Sequence, residues 1–330
     1  MRANKMLCRA GLLGVVFACA AAAGAGRSDA QDDPAAKPGT QAGQAAAQAG
    51  GFNPMHDRYW LGGYKESFTS EIPEELKNVD ALTRARKLGR LVACADAWFY
   101  PFSERAADGS ASGIDFDILR AIASRQGWRI EVVWANTGSF GGIGREFRRG
   151  IDRGYCDFFT GLVITGDDDQ VEKHKLTFTR PYLGLGFVLV TQGGAADVRT
   201  LEEIKRRRIK IGVLMFSPME DYVRANGMDH EMYYQNQRLI DGLMAGDIQA
   251  AIMWTGALAT VKRDYHAGFD MAPGYVPPKG QRWNGAWALP KKEPELKRFL
   301  DEQFETLLKE GEIRRIVERY GMPFYPPFDQ

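Results

Sequence analysis

Beyond its first two dozen residues the chain has no apolar run approaching the roughly 20 residues that span a bilayer. Neither charge sign is in surplus: 43 Lys and Arg stand against 42 Asp and Glu, a formal net charge of +1. That balance leaves no electrostatic footprint for nucleic acid or an anionic membrane. Histidine is scarce, and none of His56, His174, His230 and His266 falls in an H-E-x-x-H spacing. There is no G-x-S-x-G elbow and no phosphate loop. The glycine-rich Gly138 to Gly144 lacks the dinucleotide fingerprint and reads as a turn, although its amides could meet an anion. The usual signatures of hydrolases, zinc proteases and nucleotide enzymes are therefore missing, and neither catalytic residues, a metal site nor a cofactor is expected.

What is present starts with Arg2, Lys5 and Arg9, then an apolar, small-residue stretch from Gly11 to Ala23. Ser28-Asp29-Ala30 before Gln31, or Ala23-Gly24-Ala25, suits cleavage. Residues 1–30 are expected to be an export signal, too short for a spanning helix. Cys19 offers a lipid-anchor site, although Val16 is bulky where such sites carry a small residue. The expectation is a periplasmic protein that does not span the membrane. Residues 31–52, rich in Ala, Gly and Gln, read as a disordered linker. Residues 53–90 form an arm and a helix. The arm holds Tyr59, Trp60, Tyr64 and Phe68 and packs on the main body or on a partner. Pro73 to Leu88 reads as one helix stopped by Gly89. After the signal two cysteines remain, Cys94 and Cys156. In an oxidising compartment they suggest a disulfide, worth roughly 4 kcal/mol for a loop of about 62 residues. Two buried free thiols are the alternative.

Residues 91–192 organise the rest. The apolar run Leu91 to Ala95 stops at Asp96, and the aromatic loop Trp98-Phe99-Tyr100-Pro101-Phe102 follows. Gly113 to Ala123 reads as a helix with Asp115 and Asp117 in its first turn. A β-rich run from Trp128 to Trp134, a second helix and a third apolar run from Cys156 to Ile164 complete a β-α-β-α-β order. That order predicts an α/β fold with a mostly parallel sheet flanked by helices, whose ligands sit at the carboxyl ends of the strands. Several aromatics in a row beside Pro101 cannot all point inward, so Trp98, Phe99 and Tyr100 are candidate cleft residues. The acidic turn Asp167-Asp168-Asp169 offers oxygens to a hard cation, but it lacks a spaced calcium-loop pattern and reads as a solvated turn.

The same pattern recurs downstream. Lys210 to Leu214 reads as a strand, and Ser217-Pro218 with Glu220 and Asp221 starts a helix. Ile248 to Trp254 reads as a strand and Ala257 to Tyr265 as a helix. Trp283 to Leu289 reads as a strand returning to the first unit, followed by two amphipathic helices and a proline-aromatic tail.

Residues 86–325 resemble the periplasmic solute-binding proteins of the amino-acid type, family 3. Gly113-Ile114-Asp115-Phe116-Asp117-Ile118 is similar to that family's first-helix motif. Phe178-Thr179-Arg180-Pro181-Tyr182 resembles its F-S-x-P-Y motif before the hinge. Leu243-Met244-Ala245-Gly246-Asp247-Ile248-Gln249-Ala250-Ala251 resembles its L-x-x-G-x-x-D-A motif. The resemblance implies a two-lobed, type II periplasmic-binding fold with two hinge strands. Lobe 1 would be residues 91–187 with 288–330, and lobe 2 residues 188–287.

Two departures bear on function. The amino-acid binders usually carry an Arg after the third strand that clamps the ligand's carboxylate; here Thr165 to Glu172 holds acids and no Arg. They also carry an Asp at the end of a lobe-2 strand for the ammonium; here that residue is Trp254. A free amino acid would leave its charges unpaired.

Cys94-Ala95-Asp96 with Pro101-Phe102-Ser103, Gly154-Tyr155-Cys156-Asp157 and Ile252-Met253-Trp254-Thr255-Gly256-Ala257 resemble the quinoprotein-dehydrogenase-associated, MxaJ/XoxJ-like subgroup. Thr255-Gly256-Ala257 departs from its usual Gly-Pro. This resemblance implies an exported, non-catalytic accessory to maturation or activation of a periplasmic PQQ-dependent, lanthanide-type methanol or alcohol dehydrogenase, with that quinoprotein as partner. Trp98, Phe99, Tyr100, Phe140, Phe216 and Trp254 would supply the contact surface, and Asp96, Asp115, Thr160 and Ser217 the polar anchors. The alternative is an ABC-transporter receptor for a small non-zwitterionic solute. A lyase like cyclohexadienyl dehydratase would need a positioned acid and a carboxylate clamp that the sequence does not present. A monomer is the default.

Overall fold

The computed structural model describes residues 72–138, 141–166, 168–266 and 268–329, with the backbone of 55–60. The export signal, Cys19, the linker, Tyr64, Phe68, Phe140 and Asp167 lie outside the described residues.

Nine strands form the path of one sheet: β1 Met55–Trp60, β2 Arg90–Asp96, β3 Arg129–Ala135, β4 Phe158–Ile164, β5 Leu183–Thr191, β6 Ile211–Leu214, β7 His230–Tyr233, β8 Ala250–Trp254 and β9 Arg282–Pro290. Their spatial order is β1-β3-β2-β4-β9-β5-β8-β6-β7, and two short strands beside it bring the sheet to 11 strands. Pairing is parallel within β1-β3-β2-β4 and within β8-β6-β7, as β-α-β crossovers require. It is antiparallel where β9 and β5 join the two halves. Each half carries its own apolar core, so the fold is a two-lobed α/β one.

Strand β2 is buried along its whole length. Its unbroken apolar run is what a parallel strand covered on both faces needs. Between β2 and β3 runs the helix Ile114–Gln126, ended by Gly127 in the left-handed conformation. The first lobe packs Phe116, Phe158, Tyr182, Trp287 and Phe304 into one core. A second core gathers Leu189, Val213, Met219, Val223 and Ile252. The arm contributes β1, an edge strand parallel to β3, so at least Met55–Trp60 pairs with the body.

Two expectations resolve. Cys94 and Cys156 form a disulfide with Cα atoms 5.6 Å apart, across the pairing of Ala93 with Phe158. The single helix expected from Pro73 to Leu88 is instead a short 3-10 turn, Glu74–Leu76, followed by a helix at Ala81–Leu88. The cause is Asp80, whose carboxylate accepts the Thr83 N–H at 2.9 Å and starts a new helix there. Short acidic side chains favour that capping geometry over a helix interior.

Candidate functional site

The carboxyl ends of β2, β3 and β4 gather the first set of candidate residues. Asp96 ends β2 and is buried. Its carboxylate accepts the Trp98 N–H at 2.7 Å and the Thr137 N–H at 2.6 Å, and it also accepts the Thr137 hydroxyl. Asp96 thus ties the aromatic loop to the turn after β3. That arrangement leaves Trp98 61% exposed, while Phe99 stacks on Phe102 at 5.0 Å and is half-buried. Tyr100 is half-buried under the Arg263 guanidinium, 3.9 Å from its ring centre.

Asp115 lies deeper. It is fully buried, and one carboxylate oxygen accepts the Tyr182 hydroxyl at 2.5 Å and the Trp287 indole N–H at 2.9 Å. Its other oxygen is buried with no hydrogen-bond partner. Burial pushes this carboxyl up to about 7, against the lowering effect of those two bonds. Above it Gly161 takes a left-handed turn (φ 71°) inside β4. A side chain there would come within 3.1 Å of the Asp115 carboxylate and 3.3 Å of the Phe99 ring, so only glycine lets the strand close over the acid. Thr160 beside it is buried too, with its hydroxyl unpartnered. Asp115 and Thr160 are therefore buried beneath the loop that carries Trp98, Phe99 and Tyr100.

A second set of candidate residues stands at the carboxyl ends of β6 and β8. Phe216 follows β6 in the left-handed conformation (φ 60°) with its side chain 93% exposed. A bulky residue is rarely held there, and such outliers concentrate at working surfaces. Ser217 caps the helix Pro218–Ala225: its hydroxyl oxygen accepts the Glu220 N–H at 3.3 Å and the hydroxyl donates to the Leu214 carbonyl at 2.7 Å. Glu220 folds back so that its carboxylate accepts the Phe216 N–H at 2.6 Å and binds the Arg224 guanidinium. A helix N-terminus is a ready anion site. Here Ser217 takes the Glu220 N–H, and the Glu220 carboxylate places negative charge beside that helix start. The S-x-x-E spacing of Ser217 and Glu220 carries the signal of such a cap, here with the carboxylate reaching one residue before the N-cap.

Trp254 ends β8. Its ring lies 6.1 Å from Phe187 on β5 and 6.0 Å from Trp283 on β9, and those two are 5.8 Å apart. Phe187 and Trp283 were not singled out from the sequence; their grouping depends on two strands separated by about a hundred residues. After β4, Asp168 accepts the Thr165 N–H and hydroxyl, both at 3.3 Å. Among the described residues no cluster of three or more His, Cys, Asp or Glu could hold a metal ion.

The chain belongs to the bacterial extracellular solute-binding proteins, family 3, whose signature matches residues 91–323. Family members are typically extracytoplasmic and mostly non-catalytic, and no helix among the described residues is long and apolar enough to cross a membrane. Its fold is similar to that of a polar amino acid ABC uptake transporter substrate-binding protein from Streptococcus thermophilus, at 20% identity over 76% of this chain and 92% of that one, TM-score 0.61. It is also similar to the L-cystine solute receptor of Neisseria gonorrhoeae in its unliganded open conformation, at 16% identity over 74% and 97%, TM-score 0.59. An ancestral cyclohexadienyl dehydratase matches at 20% identity over 73% and 96%, TM-score 0.56, so the same fold also carries an enzyme. A search of curated protein sequences finds no match.

Proposed function

We propose that this protein is a periplasmic, non-catalytic member of its family that assists maturation or activation of a PQQ-dependent, lanthanide-type alcohol dehydrogenase. Its cleft docks an apolar or extended segment of that enzyme. The observation that carries this reading is the aromatic trio Phe187, Trp254 and Trp283, with Trp98 and Phe216 offered to solvent. Exposed aromatics of this kind are typical of protein contacts. A zwitterion would meet Trp254 where an acid is needed, Asp168 where a base is needed, and the Glu220 carboxylate beside the helix start. Its charges would cost several kcal/mol to bury unpaired. The Cys-Ala-Asp, Gly-Tyr-Cys-Asp and Met-Trp-Thr-Gly-Ala motifs support the subgroup, and the disulfide suits an oxidising compartment.

The absence of catalysis is supported by Asp115: the acid that burial holds near neutral pH lies under Gly161 and Phe99, out of a solute's reach. Lobe 1 is assigned to residues 91–187 with 288–330, and lobe 2 to 188–287. Tagged protein pulled from periplasm is expected to enrich a quinoprotein dehydrogenase; repeated pull-downs that never do so overturn the reading. The second reading is an ABC-transporter receptor for a small non-zwitterionic solute, favoured by the fold shared with the substrate-binding protein of an ABC uptake transporter. One small ligand that raises the melting temperature would select it.

A further inference from the structure

The last eight described residues lie across the hinge rather than on one lobe. Met322 is buried in the first lobe's core and Phe324 packs against that core, while Tyr325 packs against the second lobe's core. Between them the chain pairs with β5: the Gly184 N–H donates to the Tyr325 carbonyl at 2.9 Å. The Asn284 side-chain amide, buried on β9, then grips Phe328 twice. Its Nδ2 donates to the Phe328 carbonyl at 2.8 Å, and its Oδ1 accepts the Phe328 N–H at 2.8 Å. Tyr325 donates its hydroxyl to the Tyr275 carbonyl at 3.0 Å. A side chain at Gly184 would meet Phe328 and Pro326 at 2.7 Å, so the tail lies directly on the hinge strand. Gly184 and Asn284 are register partners where β5 and β9 pair. The tail therefore grips both hinge strands at their crossing and reaches onto the second lobe.

A second contact ties the lobes from the other side. The helix Thr255–Tyr265 follows β8, yet its Ala259 is buried in the first lobe's core. On that helix Arg263 covers the Tyr100 ring and pairs with Glu104 at 2.9 Å. Lys262 donates to the Arg319 carbonyl at 2.7 Å, just before the tail begins.

We propose that the tail Met322–Phe328 is a strap that, with the helix Thr255–Tyr265, locks the angle between the lobes, so that the cleft is preset and does not close on what it binds. A clamshell receptor needs two hinge strands free to change their backbone angles. Here a third segment is hydrogen-bonded to both of them and packed into both cores. The inference is independent of what occupies the cleft.

The test is a spin-label distance measurement on the full chain, with labels at Ser124→Cys in the first lobe and Asp229→Cys in the second, both exposed positions. The intact protein is expected to give one narrow distance distribution. A chain ending at Met322, and separately the full-length Tyr325→Ala and Phe328→Ala double variant, are expected to broaden that distribution at least twofold or split it into two. The double variant keeps the test open if the shortened chain does not fold. A broad or two-peaked distribution in the intact protein overturns the proposal whatever the variants do. So does a distribution that stays as narrow in the double variant.

Discussion

The amide of Phe216 donates a 2.6 Å hydrogen bond to the Glu220 carboxylate, one turn into the helix that follows. This bond ties the left-handed, exposed Phe216 to the first turn of the helix and sets negative charge beside its N-terminus. Replacing Glu220 with Gln is expected to cost about 1–2 kcal/mol, as a charge-assisted bond and a favourable helix-dipole contact are both weakened. Urea denaturation measures it, and an unchanged midpoint would show that the cap contributes nothing.

Asp168 is predicted to exclude a free amino acid on its own, whatever stands at position 254. Trp254→Asp restores the acid that amino-acid binders carry, yet Asp168 still stands where their Arg would be. The single variant is therefore expected to bind no amino acid by calorimetry. Measurable binding of an amino acid by Trp254→Asp alone contradicts the assignment.

Asp115 should make stability fall as pH rises from about 4 to about 7. Below that window folded and unfolded chains both hold the proton. Within it the unfolded chain releases the proton near 3.8 while the folded chain keeps it up to about 7. Above it the buried charge carries a constant penalty of at most about 4 kcal/mol. Asp115→Asn keeps an acceptor for Tyr182 and Trp287 and cannot ionise. Its stability relative to the native protein is expected to improve across the window, and parallel pH profiles would rule the effect out.

Opening the Cys94–Cys156 bridge is predicted to lower stability by about 4 kcal/mol, the chain-entropy value for its loop of 62 residues. Paired Cys→Ala substitutions measured by denaturation check this. A loss below about 1 kcal/mol would mean that the reduced, unfolded chain keeps structure around β2 and β4.

The fold was legible because its signals are local. Apolar runs alternate with amphipathic stretches, glycines end helices, and three short motifs recur at the expected places. The polar supports were harder to read. Asp96 and Asp115 looked like cleft anchors because one ends a strand and the other opens a helix, while Thr160 lies inside β4. Whether such a residue faces solvent depends on what closes over it: Thr137 for Asp96, Gly161 and Phe99 for Asp115. The trio around Trp254 and the tail across Gly184 and Asn284 depend on contacts between distant segments, which no spacing encodes. The helix expected from Pro73 shows the reverse case: the local signal that splits it, the Asp80 cap, lies in the sequence itself.

In the proposed role a preset aromatic cleft docks a protein segment. Its most direct measurement is calorimetric titration of the mature protein into a purified apo quinoprotein dehydrogenase, beside a panel of small uncharged solutes, with Trp98→Ala and Phe216→Gly as comparison variants. The predicted result is a complex that each substitution weakens at least tenfold, with no response to the solutes. No complex, together with one small solute that binds and raises the melting temperature, would contradict it.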